Sequence, residues 1–598
     1  MKKYGSRKDV PEKYQWDLSF LYENDEEWEK VYKETDKLIP KIDSYVGKLD
    51  NVDTLLEYLE LDLKIGCQVM DLYVYATTKL DEDLSNAKYQ DMLGKADALD
   101  NKYSIAISFF EPEILSIKDE EYQKIINDSK LSKYKVYLNK IYRYKNHVLS
   151  KEEEKIVSSL TSTVSSYSQL STTMLNSCHE YGTITDSDGN KEEIMVTNYR
   201  KLMKSLPRDK RKQVYTKFNK TLSKYASISA GLLNDYVKTC SSLSTIYKFD
   251  SSWEKKLFGL ELDEQVFKSL VEVGKSSKDV LKKYYKLKAK VHNLGAVKPW
   301  DAALELFKNN KKYSIEEAQE LVRNAIKPLG EDYQKHYDEV INKRCVDYCQ
   351  YKGKASGGYN VSVLDRKNSL IFMSFNEDLS SVSTLAHESG HNVHHQYIYE
   401  NNDISYRFQP VIVAEVASLT NECLLSNYLI NNASKEEALN GLSNIIAVIL
   451  SNFNGAIQEG NLELKFHKYV ENGGSLTKEY LNELTKESIL EFYPVKKLDS
   501  EYEMNAWITR SHYYDAFYLF SYAISISAAL YVSGEIIKGN NEMLEKYMNF
   551  LKTGSSCSVY DTYKVLGIDL NDKKVYEYAI KCLDEYLDIF NRIYEEVK

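Results

Sequence analysis

In residues 1–180 the apolar positions return at intervals of three and four, separated by Lys, Glu and Tyr, as in 53–63 and 89–110. That period turns one face of each segment toward a core and predicts a train of amphipathic helices. No heptad repeat is sustained, so the pattern predicts a packed helical lobe and not a coiled coil. Between Gly182 and Thr197 the pattern changes to two short extended runs around an acidic stretch, which predicts a hairpin turning at Asp188 and Gly189. Helical spacing resumes over 199–295 and 314–349. A second hairpin is predicted where Gly357 and Gly358 precede YNVSV and then SLIFMSF. From Ser380 onward the pattern is helical again, broken near 472–474 and at Pro494. The uncharged run 516–534 reaches the length of a membrane span, but serines and tyrosines interrupt it, and it reads as a helix buried in a large protein.

Composition strengthens the helical reading. The 598 residues include 24 glycines and 8 prolines, where average usage gives about 42 and about 30. The fold class predicted is mainly α: two helical lobes, with a small β-hairpin sheet between helical stretches. By sequence pattern the chain divides into residues 1–197, a helical lobe ending in a hairpin, and residues 198–598. A net charge of −10 argues against nucleic acid as a partner unless a basic patch exists. The best candidate, Arg208–Lys212, contains Asp209 and reads as a solvated helix face. Eight scattered cysteines show no C-x-x-C pair, so neither a redox dithiol nor a zinc knuckle is indicated. With no apolar segment after the N-terminal charges, the expectation is a cytoplasmic protein with no membrane partner.

Four of the ten histidines fall within TLAHESGHNVHHQ, where His387, Glu388 and His391 form His-Glu-x-x-His. On a helix, four residues turn through about 400° and rise about 6 Å, so both imidazoles leave one face and can share a metal ion. Glu388 projects to the side of that pair, where it can accept a proton from a water that zinc has made acidic, with a pKa near about 7. Asp378, Ser380 or Ser381 can cap the helix. A catalytic zinc needs a third protein ligand. Were that ligand a third histidine on a following turn, glycine would be expected at position 394 and histidine at position 397, but the chain has His394 and Tyr397 there. The next helix, beginning after Gln409, carries Glu415 on a largely apolar face, where a buried carboxylate is costly unless it is paired. Glu415 is therefore the predicted third ligand, and Glu422, on the same face, the predicted partner of a ligand histidine. His394 and His395 are read as structural.

HESGHNVH and EVASLTNE, together with YQWDLSFLY, KASGGYN and WITRSHYYDAFYLFSYA, resemble the thimet oligopeptidase and oligoendopeptidase F family of zinc peptidases, most of all its oligoendopeptidase F branch. Ser389 departs from the bulkier apolar residue usual there, with no bearing on a catalytic role. The resemblance implies helical lobes around an internal substrate channel, and one zinc ion per chain on His387, His391 and Glu415 with Glu388 as general base. It also implies short peptides as partners, cut internally. A metallocarboxypeptidase and a non-catalytic peptide-binding scaffold are the alternatives. Peptide hydrolysis develops negative charge on the carbonyl oxygen, and the resemblance implies that a histidine and tyrosines of HYYDAFYLFSY bind substrate and stabilise that charge. His512 and Tyr518 are the first candidates, with Tyr514 and Tyr522 as substrate-binding residues. By spacing, 514, 518 and 522 would form a phenol stripe along one helix face. Gly357 and Gly358 join the substrate-binding candidates, and the hairpin edge is a candidate for pairing with an extended peptide.

Overall fold

Helix occupies 72% of the chain, as the scarcity of Gly and Pro requires. The structure is a computed structural model that describes residues 4–185, 189–363 and 365–598. Along the chain, the helices used below are α1 (Val52–Glu82), α2 (Ala87–Ile107), α3 (Arg208–Ile246), α4 (Glu331–Asn342), α5 (Leu379–Asn401), α6 (Val411–Asn432), α7 (Ala456–Glu471) and α8 (Phe520–Ile537). The first hairpin pairs β1 (Thr183–Thr185) with β2 (Lys191–Glu193), antiparallel, with Thr183 opposite Glu193. Asp188, expected at its corner, lies outside the described residues. A second sheet contains β3 (Val346–Asp347), β4 (Tyr359–Val363) and β5 (Asn368–Phe372), in the order β3-β5-β4.

Two compact units emerge, each assembled from three stretches of chain. One contains 1–152, 310–428 and 532–567; the other contains 153–309, 429–531 and 568–598. These units are interleaved along the sequence, whereas the expected portions 1–197 and 198–598 are consecutive.

In the first unit, α1 packs along α2. Asn51 caps α1 by accepting from the backbone N–H groups of Asp53 and Thr54. Asn86 likewise caps α2 through Lys88, satisfying donors that have no partner inside a helix. The core to which these helices contribute is rich in aromatic rings: Trp28, Tyr58, Phe110 and Tyr122 are buried. Trp28 donates its indole N–H to the Leu72 carbonyl at 2.9 Å. Burial of each such ring contributes on the order of 1.5–3 kcal/mol.

The three-stranded sheet closes against α5, and the buried Asn392 amide donates to the Ser369 carbonyl of β5 at 2.8 Å. β5, which leads toward α5, lies between β3 and β4, so the free edge of this hairpin belongs to β4 and not to SLIFMSF. The loop before β4 is anchored by Lys354, whose fully buried ammonium meets Asp347 at 2.6 Å and donates to the Met373 and Cys349 carbonyls.

In the second unit, α3 and α7 share a core with Val214, Phe218, Leu222, Phe466, Leu481 and Trp507. A π-helical turn, Leu450–Gly455, precedes α7. From Phe520 onward the uncharged run lies in α8, which has a mean hydropathy of 1.4 and is 72% buried, in line with a core helix.

Candidate metal centre

The site forms where two helices of the first unit meet. Asp378 caps α5, its Oδ1 accepting from the Ser381 backbone N–H at 3.0 Å. This cap fixes where α5 starts and therefore which face carries positions 387 and 391. α6 follows Pro410 and lies against α5 at very close range. A Cβ added at Gly390 would stand 2.7 Å from Ser418 Cα and 2.8 Å from the Ala417 carbonyl oxygen. Only glycine permits that approach. The buried Asn421 amide ties the pair by donating to the Ala386 carbonyl at 3.1 Å.

At this contact the predicted ligands converge. His387 Nε2 lies 3.5 Å from Glu415 Oε2, and His391 Nε2 lies 3.8 Å from Glu415 Oε1. The two imidazole rings are 5.0 Å apart and nearly perpendicular, at 82°. One donor atom from each of the three residues falls within 4.8 Å of the others, which makes them a group able to hold a metal ion. Bonds of about 2.0–2.1 Å in tetrahedral geometry separate ligand atoms by about 3.4 Å. The observed separations fit that demand.

The surroundings orient these donors. His387 Nδ1 pairs with Glu422 Oε1 at 2.8 Å, which holds the ring with Nε2 turned to the ligand group. Glu422 Oε2 accepts from the Ser383 hydroxyl at 2.8 Å, and Glu415 Oε2 accepts from Ser418 at 3.1 Å. The electrostatics favour a cation. Burial works against a charged His387, but the hydrogen bond to Glu422 and the charges of Glu422, Glu415 and Glu388 outweigh it and raise its pKa to about 10. Glu388 is buried too, and burial pushes its carboxyl up to about 7, opposed by the charge of His387 and helped by those of Glu415 and Glu422.

Gly358 stands beside this group: a Cβ on it would lie 3.9 Å from Glu388 Oε1 and 3.2 Å from Thr384 Cγ2. Gly357, with φ +107°, adopts the left-handed turn that precedes it. His394 and His395 stay out of the ligand group. His394 is packed beside Phe550, with the Gln409 amide 3.3 Å from its Nδ1. The His395 ring faces Tyr399 at 6.0 Å.

The aromatic segment belongs to the second unit, and here one expectation is corrected. Tyr514, Tyr518 and Tyr522 do not ride one helix face. A short 3-10 helix, Ser511–Tyr514, ends before a turn closed by the Tyr518 N–H on the Asp515 carbonyl at 3.1 Å, and α8 starts only at Phe520. Phe517, in the turn, has φ +57°, a left-handed conformation that no helix contains. Tyr514 therefore packs against Tyr236, with ring centres 5.4 Å apart. Tyr518 and Tyr522 remain together, their hydroxyls 3.1 Å apart, and the exposed His512 ring stacks near Tyr518 at 5.8 Å and 19°. Burial, and then the charge of Arg510, lower the His512 pKa, so the ring is neutral near pH 7 and retains one N–H to donate.

Sequence reasoning missed Ser383, which stands one turn before His387. It also missed Lys354, whose role rests on carbonyls contributed by other segments and has no local signature.

Comparison with known proteins places the chain in a family. The Peptidase family M3 profile matches residues 201–582, and an Oligopeptidase F profile matches 113–177. Oligopeptidase PepF of Bacillus subtilis is 30% identical over 99% of this chain and 89% of its own. Group B oligopeptidase PepB of Streptococcus agalactiae is 29% identical over 99% of this chain and 97% of its own. The crystal structure of oligoendopeptidase-F from Enterococcus faecium superposes with a TM-score of 0.75 at 23% identity, covering 96% of this chain and 99% of that one. With two helices bringing two histidines and a glutamate together beside a second carboxylate, Glu388, and with a family profile spanning most of its length, the chain is a metallo-oligopeptidase that belongs to Peptidase family M3.

Proposed function

We propose that the protein is a zinc-dependent endopeptidase that cuts internal bonds of short peptides, with His387, His391 and Glu415 as the metal ligands and Glu388 as the general base. The observation that carries this reading is geometric: donor atoms of His387, His391 and Glu415 lie within 4.8 Å of one another, and the buried Glu388 carboxyl sits beside them on the helix that carries both histidines. A zinc ion held by His387, His391 and Glu415 would supply Lewis acidity to the scissile carbonyl and to the attacking water. Glu388 takes a proton from that water as it adds to the carbonyl carbon, then returns it to the leaving amine nitrogen as the C–N bond breaks. Gly357 and Gly358 leave room for a peptide backbone beside Glu388, and the free edge of β4 offers N–H and C=O groups to an extended chain. His512, as a neutral donor, and Tyr518 stabilise the developing oxyanion, and Tyr514 and Tyr522 line the peptide's path. A cytoplasmic setting belongs to the same reading.

Metal analysis of the purified protein, paired with mass spectrometry of peptides digested with and without a chelator, tests it. The expected result is about one zinc per chain and internal cleavage lost on chelation. Cleavage restricted to free C-termini, absent with an amidated twin peptide, would replace the endopeptidase by a carboxypeptidase. Cleavage insensitive to chelation would remove the metal from the reaction.

A further inference from the structure

The bend that breaks the tyrosine stripe is held from outside, chiefly by α7. Phe517 is bulky, 2% exposed and left-handed at φ +57°, in a turn position where glycine would be the undemanding choice. Three features of the second unit hold it there. Its ring is caged by Trp253 at 4.9 Å and His467 at 4.5 Å. Its backbone N–H donates to Glu463 Oε1 at 2.7 Å, and the N–H of Ala516 donates to the Tyr236 hydroxyl at 3.0 Å. Glu463 is fully buried, and its Oε2 has no hydrogen-bond partner. The charged groups near it are Lys256, Asp515 and Glu459, and burial pushes its carboxyl up to about 8. A buried carboxyl with one oxygen unpaired is an expensive way to hold one N–H. Its presence at a strained residue argues for function over packing.

One turn earlier on α7, Glu459 pairs with Arg510 at 2.5 Å. Further along α7, Phe466 meets the Tyr513 ring edge-on at 5.2 Å. Positions 459, 463 and 466/467 form one stripe of α7, and they grip 510, 517 and 513 in turn. The gripped residues flank His512 and precede Tyr518.

We propose that Glu463 is a positioning residue for peptide turnover: with Glu459 it clamps residues 510–518 against α7 and fixes the bend that presents His512 and Tyr518. This rests on the reading above, in which His512 and Tyr518 meet the peptide.

Glu463→Gln keeps a carbonyl acceptor for the Phe517 N–H, whereas Glu463→Leu removes it. Two measurements on the zinc-loaded full chain decide the matter. The first is hydrogen–deuterium exchange of residues 510–519, read on the protein alone. The expected result is exchange raised by Glu463→Leu and near wild type for Glu463→Gln. The second is turnover of an internally quenched peptide: kcat/KM falls between about 10- and 100-fold for the Leu variant and stays within about threefold for the Gln variant. Zinc content and inhibition by acetohydroxamate, a small metal-directed probe, stay constant in both. Should the Leu variant not fold, Phe517→Gly and Phe517→Ala replace it. Both lose the ring, but only glycine accepts φ +57° freely, so the glycine variant is expected to retain the greater turnover. Unchanged exchange, turnover untouched by Glu463→Leu, or equal turnover of the two Phe517 variants would overturn the proposal. A wild-type chain that cuts no peptide internally would sink the endopeptidase reading instead, while the exchange result would still judge the clamp.

Discussion

The metal centre and the aromatic segment are held in opposite ways. In the first unit the fold grips side chains: His387 is fixed through Nδ1 by Glu422, Glu422 by Ser383, and Glu415 by Ser418. In the second unit it grips backbone and flanks, at Arg510, Ala516 and Phe517, and leaves the His512 ring exposed. Metal ligation tolerates errors of only a few tenths of an ångström, so each donor needs its own partner. Recognition of varied peptides asks for a defined scaffold bearing adaptable groups. Under the proposed function, the difference follows from the two tasks.

The two regions should separate cleanly when zinc content and peptide kinetics are measured side by side. The largest effect is expected from Glu415→Ala: metal lost on dialysis and activity lost with it. Zinc retained at the wild-type level would move the third ligand elsewhere. Glu388→Gln is expected to keep the metal but lose at least about 10²-fold in peptide cleavage, the lower range for a positioned base; near-normal turnover would exclude Glu388 from the reaction. Glu422→Ala is expected to weaken metal affinity about 10- to 100-fold through the unsupported His387, as measured by competition with a chelator. Tyr518→Phe, across the divide, is expected to lower kcat/KM about tenfold with zinc content unchanged. A fall in zinc content would erase the contrast between the regions.

The smallest effect concerns pH, and here the regions should behave alike. Burial lowers the pKa of His395 in the first unit and of His467 in the second to about 3, from 6.5 in the unfolded chain. As pH falls below 6.5 the unfolded chain takes up protons that the folded chain refuses, so stability is lost progressively from 6.5 toward 3. His395→Phe and His467→Phe should each flatten the fall in Tm between pH 7 and pH 5. An unchanged slope in either variant would mean that the histidine is already charged in the fold.

Much of the centre was legible because its information is local. The spacing of His387, Glu388 and His391 is set by one helix, and Glu415 and Glu422 betray themselves as carboxylates on the apolar face of the next. Such periodicity carries no information about a contact between 463 and 517. The phenol stripe failed for this reason: a repeat of four reads as one helix face unless a breaker intervenes, and the breaker is a phenylalanine bent by a carboxylate from another helix. Helical content was readable from the shortage of Gly and Pro, but the interleaving of the two units was not, since it depends on which helices pack together and not on how each one forms.

The close contact at Gly390 has a consequence for ion choice. Two donors ride on one rod and the third on its neighbour, so the diameter of the hole is governed by how far apart the two rods stand. Backbone touching backbone sets a hard floor on that gap, while only side-chain tethers such as Asn421 set its ceiling. Such a hole resists shrinking more than stretching: an ion with longer bonds than zinc meets soft resistance, and a smaller one meets a wall.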